Sequence, residues 1–169
     1  MLKFPFETNS FVVRRFEPQD LSAFLSFMLD DESTKYLMFD SEQKTEEGAK
    51  ALFGYVCVEY ESEDPIHSYA ISEKGTNRYL GSCGFAPYDD GVFECYYSVN
   101  KAETGKGITS EVIKELVNEL SQEVEVRAYC HPENYAAHAV AKKCMTPKGI
   151  VKHKNLGNES KQFFRECSG

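Results

Sequence analysis

The residues with the clearest chemical potential are two glycines around a lysine, Gly105, Lys106 and Gly107, within ETGKGITSE (Glu103 to Glu111). An apolar-periodic segment follows, so the loop falls at the N-terminus of a helix. There, unpaired N–H groups and a partial positive charge face outward, and glycines let a phosphate approach the backbone. Gly105 and Gly107 suit a pyrophosphate, with Lys106 either adding charge or facing solvent; the alternative is a tight turn with a helix cap. Two other phosphate loops do not fit. There is no GxxxxGK[ST], and Ser110 stands where GxGxxG requires its third glycine.

Glu94 is the second candidate. It lies in VFECYYSV (Val92 to Val99), where strand alternation sets Glu94, Tyr96 and Ser98 against Phe93, Cys95, Tyr97 and Val99. A carboxylate in so aromatic a strand is expected to be desolvated, which raises its pKa toward that of a working base. The other reading is an edge carboxylate meeting solvent or a cross-strand cation. The six cysteines (57, 83, 95, 130, 144 and 167) form no CxxC, and no histidine pair has HxxxH spacing. No metal site is expected, and the thiols read as buried and reduced.

The elements that must position these residues alternate along the chain. FVVRRF (Phe11 to Phe16) reads as a strand, followed by a proline-led helix carrying Leu21, Phe24, Leu25, Met28 and Leu29 on one face, then a helix from about Thr45 to Tyr60. HSYAIS, RYLGSCGFA and VFECYYSV, broken by EKGTN and PYDDG, predict a three-stranded antiparallel meander. After the glycine loop, Ile108, Val112, Ile113, Leu116, Val117 and Leu120 share a helical face. VEVRAYC (Val124 to Cys130) alternates as a strand, NYAAHAVAKK is helical in composition, and strands are expected near residues 149–154 and 162–167. This order is a mixed α/β layer architecture rather than a strict βαβ repeat.

A chain of 169 residues suits one domain, 1–169, and its 41% apolar content is ordinary for a globular protein. No apolar run approaches the roughly 20 residues of a membrane span, and Lys3, Pro5 and Glu7 interrupt the N-terminus, so a cytoplasmic location is expected. A net charge of -8 argues against nucleic acid and against an anionic membrane as partners, and favours a cationic one.

ECYYSVNKAETGKGITSEVIKEL resembles the strand, loop and helix of the GNAT acyltransferases, and NSFVVRRFEPQDLSAFLSFMLDDESTKYL and ENYAAHAVAKKCMTPKG resemble flanking parts of the RimJ/RimL-like branch (ribosomal-protein-alanine acetyltransferases). The resemblance implies a GNAT fold, a central, mostly antiparallel twisted sheet of about seven strands with about four helices. It implies acetyl-CoA as cosubstrate, bordered by Val99, Gly105, Lys106, Gly107, Ile108 and Thr109, with Asn134 beside it. Asn134 could equally be a helix N-cap. The implied activity is transfer of an acetyl group by direct attack of a primary amine, on a protein N-terminus or a small cationic molecule, with Glu94 as base. The alternative is a catalytically weak module that binds or senses acyl-CoA.

The chain departs from the family at several positions. Ala102 replaces the loop's usual Gln or Arg, Ala137 and Ala141 replace the usual serine and tyrosine proton donors, and no glycine follows Lys143 until Gly149. Tyr135 is the expected substitute donor, with His138 as a second possibility. Either a monomer or a homodimer is compatible with exposed sheet edges.

Overall fold

The computed structural model describes residues 2–169. Strands β1 (Phe6–Glu7) and β2 (Phe11–Arg14) open the chain, and a 3-10 turn at Pro18–Asp20 leads into helix α1 (Leu21–Met28). Helices α2 (Asp31–Thr34) and α3 (Glu46–Glu59) follow, then strands β3 (Ser68–Glu73), β4 (Tyr79–Asp89) and β5 (Val92–Val99). Helix α4 (Ile108–Leu120), strand β6 (Glu125–Cys130), helix α5 (Tyr135–Lys142) and strands β7 (Thr146–Lys152) and β8 (Glu159–Arg165) complete the order.

The strands form one sheet, ordered β1-β2-β3-β4-β5-β6-β8-β7. Every neighbouring pair is antiparallel except β5 with β6. That parallel pair is short: Val92, Phe93 and Glu94 pair with Glu125, Val126 and Arg127, and the ladder then stops. From Cys95 onward β5 is paired only with β4, and β6 only with β8. The sheet opens as a V with Glu94 at its vertex, leaving one edge of β5 with backbone groups that need other partners.

Helix α4 follows the predicted face closely. Ile108, Val112, Ile113, Leu116, Val117 and Leu120 are all buried, each worth about 1.5–3 kcal/mol relative to exposure, while helix propensity contributes at most about 1 kcal/mol per residue. Tertiary burial therefore holds this helix. Its Glu111 accepts from the Thr8 hydroxyl and the Ser10 amide at 2.5 and 2.8 Å, tying it to the β1–β2 hairpin. Helix α3 starts where expected, with the Thr45 hydroxyl accepting from the Gly48 amide. Phe16, Phe24 and Phe53 pack their rings at 5.4–5.8 Å between α1, α3 and the chain entering α1.

The elements differ from expectation at their margins. Among the described residues there are eight strands rather than about seven because of the two-residue β1, and α2 adds a fifth α-helix of four residues. PYDDG is largely strand: β4 continues through Pro87 and Tyr88, with a register shift between Pro87 and Asp89, and Gly91 at φ 68° makes the actual turn. Such a shift is where an extended strand tolerates a proline. Strand β7 likewise begins earlier than expected, at Thr146, with a shift between Pro147 and Gly149.

Candidate active site

The V between β5 and β6 holds two adjoining cavities. The first, about 570 Å³, runs along the N-terminal ends of α4 and α5. Gly105 and Gly107 line it with φ of 78° and 76°. A Cβ at either would meet nothing within 4 Å, so it is the left-handed backbone, not crowding, that demands glycine there. Gly107 is the N-cap of α4, which leaves the first-turn N–H groups directed outward. Val99, Thr109 and Asn134 also line this cavity. Asn134 caps α5, its side-chain oxygen accepting from the Ala137 amide at 3.3 Å, so the capping role and a place beside a ligand coexist.

Two of the expected cofactor contacts lie elsewhere. Lys106 turns back to Glu103 at 2.9 Å and Ile108 is buried under the helix; neither lines the cavity. Glu103 also accepts from Arg78, and those two hydrogen bonds, with Arg78 the larger influence, hold its carboxyl below the usual range. The cations that do line the cavity are Lys35, Lys101 and Lys143. Lys143 donates to the Ser110 hydroxyl at 3.1 Å. The two acids beside them are engaged, Glu32 by Lys35 at 2.9 Å and Asp30 by the Ser33 amide capping α2. In a chain of net charge -8, Lys35, Lys101 and Lys143 concentrate positive charge beside the glycine-led start of α4.

The second cavity, about 370 Å³, contains Glu94. Glu94 has a partner that the sequence did not show. His153, 2% exposed and at the start of the β7–β8 loop, has its Nε2 2.9 Å from Glu94 Oε2. The backbone amides of Asn155 and Leu156 both donate to His153 Nδ1, at 3.2 and 3.1 Å. An Nδ1 that accepts twice carries no proton, so the imidazole is the Nε2–H tautomer and donates to Glu94. The edges of the Tyr88 and Tyr129 rings meet the imidazole ring, with centroids at 5.0 and 4.9 Å. This clamp fixes one oxygen of Glu94 and leaves Oε1 for another partner.

Phe27, Tyr36, Leu37, Tyr97 and Ser98 line both cavities and mark their junction. The Tyr97 hydroxyl donates to the Ala137 carbonyl at 2.7 Å, bridging β5 to α5, and burial pushes its pKa well above the ordinary phenol value. Tyr135 is not brought into this arrangement. It is 72% exposed and lines neither cavity. The first cavity is lined from this side by Ala136, Ala137, Ala139, Val140 and Lys143, whereas the Tyr135 ring pairs edge-on with His138. His138 is buried and donates from Nε2 to the His131 carbonyl at 2.9 Å, a structural contact. Ala141 is wholly buried. Sequence reasoning thus missed His153, Tyr97, Lys35 and Lys101; only Tyr97 left a signal, as a phenol in the strand that leads to the loop.

Comparison with known proteins agrees with this fold. Residues 10–145 match the family model described as an acetyltransferase (GNAT) domain. A curated relative, the uncharacterized N-acetyltransferase p20 of Bacillus licheniformis, is 24% identical over 113 residues; the match covers 66% of this chain and 62% of that protein. Among solved structures, a GNAT-family acetyltransferase from Bacillus anthracis superposes with a TM-score of 0.76 at 19% identity, covering 96% of this chain and 98% of that one. RimL, a ribosomal alpha-N-protein acetyltransferase in complex with coenzyme A, superposes with a TM-score of 0.71 at 15% identity, covering 97% and 98%.

Proposed function

The chain belongs to the GNAT acetyltransferase family, and from that premise we propose that it is an acetyl-CoA-dependent N-acetyltransferase acting on a primary amine. The observation that carries this reading is the junction of two chemically opposite cavities, one ringed by lysines and glycines and the other holding Glu94, at Tyr97 and Ser98. The residues of the larger cavity fit the cosubstrate: the α4 N-terminus with Gly105 and Gly107 suits its pyrophosphate, Lys35, Lys101 and Lys143 suit its phosphates, and the open edge of β5 suits its amide-bearing arm. When bound, acetyl-CoA supplies the acetyl thioester.

The chain's own residues handle the protons. A free alkylamine has a pKa of about 10.4 and is almost wholly protonated at neutral pH. Glu94 Oε1 accepts that proton directly or through water, while His153 holds Oε2 and keeps the carboxylate aimed. On the departing side, Tyr97 stands at the junction and keeps its proton because burial opposes ionisation; to protonate the thiolate its hydroxyl must turn away from the Ala137 carbonyl to which it donates. A thiolate also leaves without a dedicated acid, since a thiol pKa is about 8.5.

Ala102, Ala137 and Ala141 favour the second reading, an acyl-CoA-binding module with little turnover. A thiol-release assay with acetyl-CoA and a panel of primary amines separates the two. The transferase reading requires one free thiol per amine acetylated. Acetyl-CoA binding without thiol release on any amine would leave only the module.

A further inference from the structure

Resting on the transferase reading, the cavity around Glu94 also constrains what the acceptor can be. Its walls are built by Phe24, Phe27 and Met28 of α1, Leu52 and Phe53 of α3, and the segment Leu37 to Phe39. Among the described residues lining it there is no lysine or arginine, and Glu94 is the sole carboxylate. The rest of its polar lining is formed by serine and tyrosine hydroxyls, His131, His153 and Asn158, whose Oδ1 is out of solvent without a hydrogen-bond partner. At about 370 Å³ the space lies near the small end of the roughly 300–1,000 Å³ typical of ligand cavities.

We infer that the acceptor is a compact monoamine with an apolar, aromatic or branched body, its amine at Glu94 and its body against the α1 and α3 aromatics. The net acidity of the chain points toward polyamines and aminoglycosides, but the cavity selects against them. A second ammonium would be stripped of water among phenylalanines with no second carboxylate to meet it. A peptide N-terminus would bring backbone amides to a lining where the hydroxyls of Tyr96, Tyr97, Ser82 and Ser98 are already hydrogen-bonded within the protein, and unpaired polar groups are costly. An aromatic monoamine satisfies both demands: one charge for one carboxylate, and apolar surface for apolar surface.

The test uses phenethylamine, spermidine and an alanine-initiated tetrapeptide on the purified full chain. Binding is read by thermal shift without acetyl-CoA, and turnover by thiol release with it. Phenethylamine is expected to stabilise the protein and to exceed the other two about 100-fold in kcat/KM. Met38→Glu, which adds a carboxylate at a lining position that is 58% exposed, is expected to narrow the phenethylamine-to-spermidine preference about ten-fold while the circular dichroism stays unchanged. Spermidine or the peptide used as well as phenethylamine, or a preference unmoved by Met38→Glu, overturns the inference. Phenethylamine binding without thiol release from any amine keeps the cavity assignment and sinks the transferase reading. Thiol release on other amines with no phenethylamine binding sinks this inference alone.

Discussion

The two arms of the cleft are built by opposite means. The lysine-ringed arm is made of backbone: two left-handed glycines, two helix starts and the free edge of β5, with charge supplied by side chains at its rim. The Glu94 arm is made of side chains gathered from α1, α3, β5, β6 and the β7–β8 loop, with one carboxylate among aromatics. A backbone site recognises what every ligand of a class shares, which for the proposed cosubstrate is phosphate, and tolerates side-chain change. A side-chain site carries selectivity and is free to diverge. That contrast explains how the loop can lose a polar residue at Ala102 and still keep its anion-binding geometry.

The largest effect should come from Glu94→Gln, which keeps shape and removes the base. Turnover should fall about a hundred- to ten-thousand-fold, while the acetyl-CoA dissociation constant stays within about two-fold of wild type by calorimetry. If both fell together, the arms would not be separable.

The wall between them provides the next check. Burial pushes the Cys130 thiol from its ordinary 9.0 up to about 11, and its Sγ lies 3.9 Å from the Tyr97 hydroxyl. Because the folded state holds this proton more tightly than the unfolded one, the contribution is complete below pH 9 and is lost as pH rises from 9 to 11. The loss is on the order of 2 kcal/mol, or about 30-fold in the folding equilibrium. Urea midpoints at pH 8 and pH 11, compared with those of Cys130→Ala, measure it; a Cys130→Ala protein with an undiminished alkaline decline would show that the wall is wetter than it looks.

His153→Ala should lower kcat on the order of ten-fold by freeing Glu94 and should shift the pH profile. His153→Gln, which retains a donor, should recover part of the loss, and acetyl-CoA affinity should not move in either variant. An unchanged pH profile would reduce His153 to packing. The smallest effect belongs to Tyr135→Phe: facing solvent outside both cavities, it should change kcat less than two-fold, well below the range expected for loss of a proton donor. A loss of ten-fold or more would restore Tyr135 as the donor and displace Tyr97.

What could be read in advance divides along the same line. Gly105, Gly107, Val99 and Asn134 are local features, a loop and a cap next to periodic helices, and sequence spacing is enough to place them. The α4 face was legible because six apolar positions repeat at one period. Glu94 was legible as a residue but not in its setting, since His153 is 59 positions away and is delivered by a loop whose two amides fix its tautomer. Alternation told which face of β5 each side chain takes; it could not tell that pairing with β6 ends at Glu94, which is what lets Tyr97 and Ser98 border both arms. Tyr135 was chosen for its place next to Asn134, and that adjacency does not tell which way the side chain points. The lining residues of α5 and its C-cap are Ala136, Ala137, Ala139, Val140 and Lys143, while Tyr135 at the first position of the helix is 72% exposed.

The most direct measurement is a calorimetric titration of acetyl-CoA into the wild type beside Gly107→Glu, which puts a negative charge and a strained left-handed backbone into the proposed phosphate cradle. The account predicts micromolar-scale binding to the wild type and its loss in a variant whose circular dichroism is unchanged. Equal binding by both proteins, or none by the wild type, would contradict it and leave Gly105 and Gly107 as nothing more than a turn before a helix.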